Sequence, residues 1–185
     1  GIQTARAAID RGEIGEVVSV QAFVNRDYTC LFHPDFLSQR GGGIGFDMGI
    51  YYLTAIMSIL GPVEKASGLV ETRKCEKLVD DPTDAAFGRA IPVETETCLV
   101  ATLKFRSGPL GTLHLDSDCI WPEVPGLRFF GRQGILYLPD PNTFGGEVLI
   151  QKKGMAEPIA LAQNHGFSSN SRGVGVAELA WALRL

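Results

Sequence analysis

The chain has 185 residues and a net charge of −4, from 17 basic and 21 acidic side chains with no clustered basic stripe, which argues against a nucleic-acid or anionic-membrane surface. Its 45% hydrophobic content suits one domain with a real core, and no run reaches the ~18 consecutive apolar residues of a membrane span. The expected partner is a small molecule, with no nucleic acid and no membrane, and the expected location is the cytoplasm.

Gly1 to Gly12 opens with Ile2, Ala5, Ala8 and Ile9 at helical spacing, so a helix is expected from the first residues. Gly12-Glu13-Ile14-Gly15-Glu16 reads as a turn. Val17 to Val24 then reads as a strand in which Val18, Val20, Ala22 and Val24 share a face. Residues 25–46 lack periodicity and hold a polar, aromatic set that includes Arg26, His33 and Arg40. A loop of that length inside a compact domain favours a functional role. His33 and Arg40 each read either as a substrate contact or as an ordinary loop residue.

The centre of the sequence is Gly41-Gly42-Gly43-Ile44-Gly45-Phe46-Asp47-Met48-Gly49-Ile50-Tyr51, followed by apolar positions at Leu53, Met57 and Leu60 and a stop at Gly61-Pro62. This predicts a glycine-rich loop feeding an amphipathic helix, with Ile50, Leu53, Met57 and Leu60 as its apolar stripe. If the helix begins near Asp47, Asp47 and Tyr51 lie one turn apart on one face, a carboxylate and a phenol projecting beside a loop that admits close approach. An N-terminal Asp is also a common cap and a Tyr one turn later a common packing residue, so spacing alone leaves both readings open.

Val63 to Thr72, Glu94 to Phe105, Leu110 to Asp118, Gly126 to Gly131, Ile135 to Leu138 and Val148 to Lys152 each lean towards strand. Arg106-Ser107-Gly108-Pro109 and Gly131-Arg132-Gln133-Gly134 predict hairpins and so antiparallel neighbours. The strand around Leu99 and Leu103 has a partly apolar second face, which suggests pairing of the sheet with another subunit. Lys74 to Pro92 reads as an exposed excursion and Pro139 to Gly146 as a rigid turn. Asn142 in that turn and His165 in the loop before the last helix are further candidate ligand contacts, although turn chemistry alone accounts for Asn142. Val174 to Leu185 carries a helical pattern with no stop signal, so the chain is expected to be part of a longer protein. The fold class expected is α+β, a largely antiparallel open sheet with helices on one face.

Several chemistries are missing. No Gly-x-Gly-x-x-Gly joins a strand to a helix, and no phosphate-binding loop or serine-nucleophile elbow occurs. Cys30, Cys75, Cys98 and Cys119 contain no Cys-x-x-Cys pair and read as reduced thiols. Cys30 and His33 form a Cys-x-x-His pair with no second pair to complete four ligands, so no metal site is expected.

The Gly-Gly-Gly-x-x-x-Asp-x-Gly-x-Tyr pattern of Gly41 to Tyr51, running through an apolar helix into Leu60-Gly61-Pro62, resembles the signature helix of the C-terminal domain of the glucose–fructose oxidoreductase/inositol dehydrogenase/rhizopine catabolism (Gfo/Idh/MocA) family. The likeness extends to Gly1-Ile2-Gln3-Thr4-Ala5-Arg6, Ile9-Asp10-Arg11-Gly12-Glu13-Ile14-Gly15, Pro139 to Gly146 and Asn170 to Ala177. It implies one substrate-binding and oligomerisation domain over residues 1–185, with a Rossmann domain elsewhere that binds NAD or NADP and supplies a catalytic Lys. It further implies alcohol–carbonyl interconversion on a sugar, polyol or related diol, by a homodimer or homotetramer associated through the sheet, with this part inactive alone. Asp47 matches the family aspartate, and Tyr51 stands where many members have His. A phenol, with an ordinary pKa of about 10, is on the order of 0.1% ionised at neutrality, so a base in that position needs a neighbouring cation. The same family contains regulators that bind without turnover, and a non-catalytic sensor or dimerisation module is the alternative.

Overall fold

The computed structural model describes residues 1–26, 37–119, 126–163, 165–166 and 172–184. Helix α1 (Ile2–Asp10) leads through the turn at Gly12 and Gly15, both with positive φ, into β1 (Val17–Asn25). A π turn (Gly45–Gly49) runs directly into α2 (Ile50–Leu60). Then come β2 (Val63–Glu71), the short β3 (Glu76–Leu78) and β4 (Ala90–Pro92), β5 (Cys98–Phe105), β6 (Leu110–Asp116), β7 (Leu127–Gly131), β8 (Gly134–Leu138), β9 (Leu149–Lys152), β10 (Ile159–Ala160) and α3 (Val174–Ala182).

The main sheet has eight strands in the order β10-β9-β8-β7-β1-β6-β5-β2. Only β1 and β6 run parallel; the other neighbours are antiparallel, as the two hairpins required. The fold is the α+β class expected. Alternation decides which face is buried. Leu103 and Phe105 of β5, Leu113 and Leu115 of β6, Val20, Ala22 and Val24 of β1, and Leu127 and Phe129 of β7 pack into one core with Ala5 and Ala8 of α1 and Tyr52, Ala55 and Ile56 of α2. The opposite face leaves Leu110 and Val100 exposed, so it is partly apolar as expected. No helix among the described residues is long and apolar enough to cross a membrane.

Three local expectations need correction. Val18 is 49% exposed instead of sharing the buried face, because a bulge in the β1–β7 pairing passes from Val17 opposite Gly131 to Ser19 opposite Phe130 and leaves Val18 unpaired. The excursion from Lys74 to Pro92 is ordered by β3 and β4, which form a two-stranded antiparallel sheet over buried Ile91, Lys77 and Val79.

The third concerns α2. Its buried residues are Tyr52, Ala55, Ile56 and Leu60, continuing from Met48, while Ile50 and Met57 of the expected stripe are exposed. The helical backbone starts before Asp47, already at Ile44, and passes through the π turn, which widens the turn and resets which residues meet the sheet. Gly49 is required there: a Cβ on it would stand 2.7 Å from Leu115 Cδ1.

Candidate active site

Tyr51 and Asp47 are both half-buried at the start of α2 and in the π turn before it. A π turn breaks the ordinary hydrogen-bond ladder, and such turns concentrate at functional sites because they aim side chains that a regular helix would not. The turn is held from outside as well. Gly45 N–H donates to Glu96 Oε1 at 3.3 Å, and a Cβ on Gly45 would meet that oxygen at 2.7 Å.

Two further elements converge on Tyr51. In the turn after β8, the Asp140 carboxylate accepts from the Asn142 N–H at 2.9 Å, an Asx turn that fixes Asn142. Arg172, just before α3, donates through Nη2 to Asn142 Oδ1 at 2.9 Å and to the Asn142 carbonyl at 3.2 Å. Its other terminal nitrogen lies 3.5 Å from Tyr51 Oη. The Asn142 amide turns its Nδ2 towards Met48 Sδ at 3.8 Å, and Arg26 Nη1 reaches the same sulfur at 3.1 Å. Thus the Pro139–Gly146 turn and the lead into α3 meet at the phenol of α2 through Arg172, and Asn142 and Arg26 meet beside them at Met48 of the π turn.

Beneath this layer Tyr52 is buried. Burial first, then the charge of Asp140 and a hydrogen bond to it, push its hydroxyl ionisation well above the ordinary tyrosine range, while Arg26 pulls the other way. Tyr52 is therefore a neutral structural phenol, and Tyr51 is the one that faces the accessible side.

Of the residues singled out in the sequence, Tyr51 and Asn142 are brought together, with Asp47 one turn before Tyr51. Arg40 is exposed and lines another hollow of about 330 Å³, with Gly41, Phe46 and Thr95, that includes neither Tyr51 nor Asn142. His165 is exposed in the segment after β10. His33 lies outside the described residues. Arg172 was not singled out, although the Asn170 to Ala177 segment was; a lone Arg in a Ser/Gly loop gives no signal of the turn it will clamp. The structure also joins Cys98, His114 and Asp116, whose ligand atoms lie within 4.8 Å of one another, where no metal-ligand group was expected.

The glycines at 41–45 do not form a dinucleotide cradle. Gly43 packs on Thr95 and Gly45 on Glu96, and among the described residues no strand feeds them. The described residues thus fit a substrate and proton-handling role better than a hold on a cofactor's pyrophosphate.

A domain of this topology with a phenol, an amide and a guanidinium gathered at one helix start defines a class, and the sequence match names it. The model of the GFO/IDH/MocA C-terminal domain matches residues 2–137, and the chain belongs to that family. No curated protein matches the chain. Among solved structures it is similar to an NAD-binding oxidoreductase from Klebsiella pneumoniae, at 18% identity and TM-score 0.66 over 89% of this chain and 43% of that one. Levoglucosan dehydrogenase in complex with NADH and L-sorbose matches at 14% identity and TM-score 0.68, over 97% of this chain and 51% of that one. An oxidoreductase from Thermotoga maritima matches at 15% identity and TM-score 0.66, over 98% of this chain and 48% of that one. At these identities the likeness is one of fold, and the chain spans about half the length of each.

Proposed function

We propose that this chain is the substrate-binding and dimerisation part of an NAD(P)-dependent oxidoreductase that interconverts alcohol and carbonyl on a sugar, polyol or related diol. The observation that carries the reading is the Arg172 guanidinium 3.5 Å from Tyr51 Oη and tied to Asn142. Bound nicotinamide supplies the hydride chemistry at the substrate carbon. Tyr51 then exchanges the hydroxyl proton of that carbon, and the charge of Arg172 stabilises the negative charge that develops on Oη as the proton leaves. The Lys implied by the family resemblance would add a second cation from outside this chain. Asp47, one turn before Tyr51, orients substrate hydroxyls.

Two exposed apolar surfaces support a role within a larger assembly. Phe46, Ile50 and Met57 form a stripe along the outer side of the π turn and α2, and Val176, Leu179, Trp181 and Leu183 stand exposed on and beyond α3. Large side chains left open in such rows mark contact surfaces, and the N-terminal cofactor domain is the occupant we assign to them. The open face of the sheet, with Val100 and Leu110 exposed on it, is the surface we assign to a symmetric dimer.

The test is an NAD(P)-linked absorbance assay of the full-length protein on a panel of sugars, anhydrosugars, polyols and diols, with light scattering for the oligomer. Turnover on a panel member supports the oxidoreductase; cofactor binding without turnover on any of them supports the sensor.

A further inference from the structure

On the sheet face opposite the helices, β5 and β6 place three metal-ligating side chains together. Cys98 is the direct cross-strand partner of Asp116, and His114 precedes Asp116 by one alternation, so all three project from the same face. The Cys98 sulfur, a His114 ring nitrogen and an Asp116 carboxylate oxygen lie within 4.8 Å of one another. We infer that Cys98, His114 and Asp116 form a binding site for a borderline-soft divalent metal ion of the zinc type, with water completing the tetrahedral shell.

The donor set is the first argument. Thiolate, imidazole and carboxylate are the three groups that zinc takes, at about 2.3, 2.0–2.1 and 2.0–2.2 Å, so ligand atoms in a tetrahedral site stand somewhat under 4 Å apart. The spread here closes to that by small side-chain rotations. Hard cations such as magnesium, which prefer all-oxygen shells, fit this set poorly.

The second argument is rigidity. The ligands sit on neighbouring strands of an eight-stranded sheet, not on a loop, and Asp116 is only 8% exposed. Its carboxylate is already oriented: Oδ1 accepts from the Asp118 N–H at 2.7 Å, the kind of outer-layer contact that fixes a metal-binding carboxylate. The neighbouring buried cation, Lys77, is engaged by Asp118 at 3.2 Å and by the Ser117 carbonyl at 2.9 Å.

Binding is a substitution in which the metal ion takes the place of the Cys98 thiol proton, which passes to buffer while the metal forms bonds to that sulfur, the imidazole and the carboxylate. The site stands apart from Tyr51 and does not depend on the proposed activity. The link between them is the backbone of Arg26, whose N–H donates to the Asp116 carbonyl at 2.8 Å while its side chain touches Met48.

The experiment is to strip the full chain with chelator, then titrate it with Zn2+ and separately with Co2+. We expect one equivalent of Zn2+ with proton release, and a Co2+ spectrum with thiolate charge-transfer bands. Cys98→Ser and His114→Ala should each weaken Zn2+ binding by at least about 100-fold, while Cys75→Ser, at an exposed thiol elsewhere, leaves it unchanged. Because His114 is exposed, His114→Ala keeps the fold and isolates the ligand effect. No stoichiometric Zn2+ binding, a Co2+ spectrum without thiolate bands, or binding that survives both variants would overturn the site.

Discussion

The Arg172 guanidinium bridges two parts of the chain, 2.9 Å from Asn142 Oδ1 and 3.5 Å from Tyr51 Oη. One cation thus holds a turn that follows β8 against a phenol at the start of α2. Removing the cation should matter only while the phenol is there to use it. In the active full-length enzyme, Arg172→Met should lower kcat/KM about 10-fold or more, the scale of a lost charged hydrogen bond. In a Tyr51→Phe background the same change should have little further effect, a coupling that steady-state kinetics of the four proteins would read.

Tyr52 gives a stability prediction of definite sign. Its folded-state ionisation lies above the ordinary value, from burial first and then Asp140. Above a pH of about 10 the unfolded chain gives up this proton and the folded chain keeps it, so stability is full below that pH and falls as pH rises further. Denaturant midpoints measured between neutral and alkaline pH should therefore drop less steeply for Tyr52→Phe than for the parent.

Lys77 and Asp118 form an ion pair whose side chains are 3% and 9% exposed. Breaking it strands a buried carboxylate, so Lys77→Ala should cost about 3–5 kcal/mol in urea unfolding, whereas Lys77→Met with Asp118→Leu should recover most of that loss.

The fold was legible where local signals agree. The turns at Arg106 to Pro109 and Gly131 to Gly134 fixed two hairpins, and the partly apolar second face expected of β5 is there, with Val100 exposed on it. It failed where an extra residue shifts a period. The bulge at Val18 and the π turn before Ile50 each offset the pattern, and neither leaves a mark that composition reveals. The β3–β4 pair escaped because three-residue strands are too short for periodicity.

The site divides in the same way. Tyr51 stood out through its motif, Asn142 was a candidate that turn chemistry alone also accounted for, and both contact Arg172. Arg172 and the Cys98–His114–Asp116 group are products of tertiary pairing: the metal-ligating residues come from two strands whose register decides who meets whom. Ligand spacing rules read pairs close in sequence, and Cys98 and His114 are not close.

Metal removal gives an independent readout for the sheet face. Chelator treatment should leave turnover at Tyr51 intact but lower the thermal midpoint, because an ion that binds the folded form stabilises it by mass action.

The most direct measurement of the central claim is turnover by the full-length protein and its Tyr51→Phe variant on a substrate found in the panel, alongside cofactor affinity. The account predicts a loss in kcat of about 100-fold or more, the usual scale of a general acid–base group, with cofactor affinity nearly unchanged. An unaltered kcat would contradict it and remove Tyr51 from the chemistry.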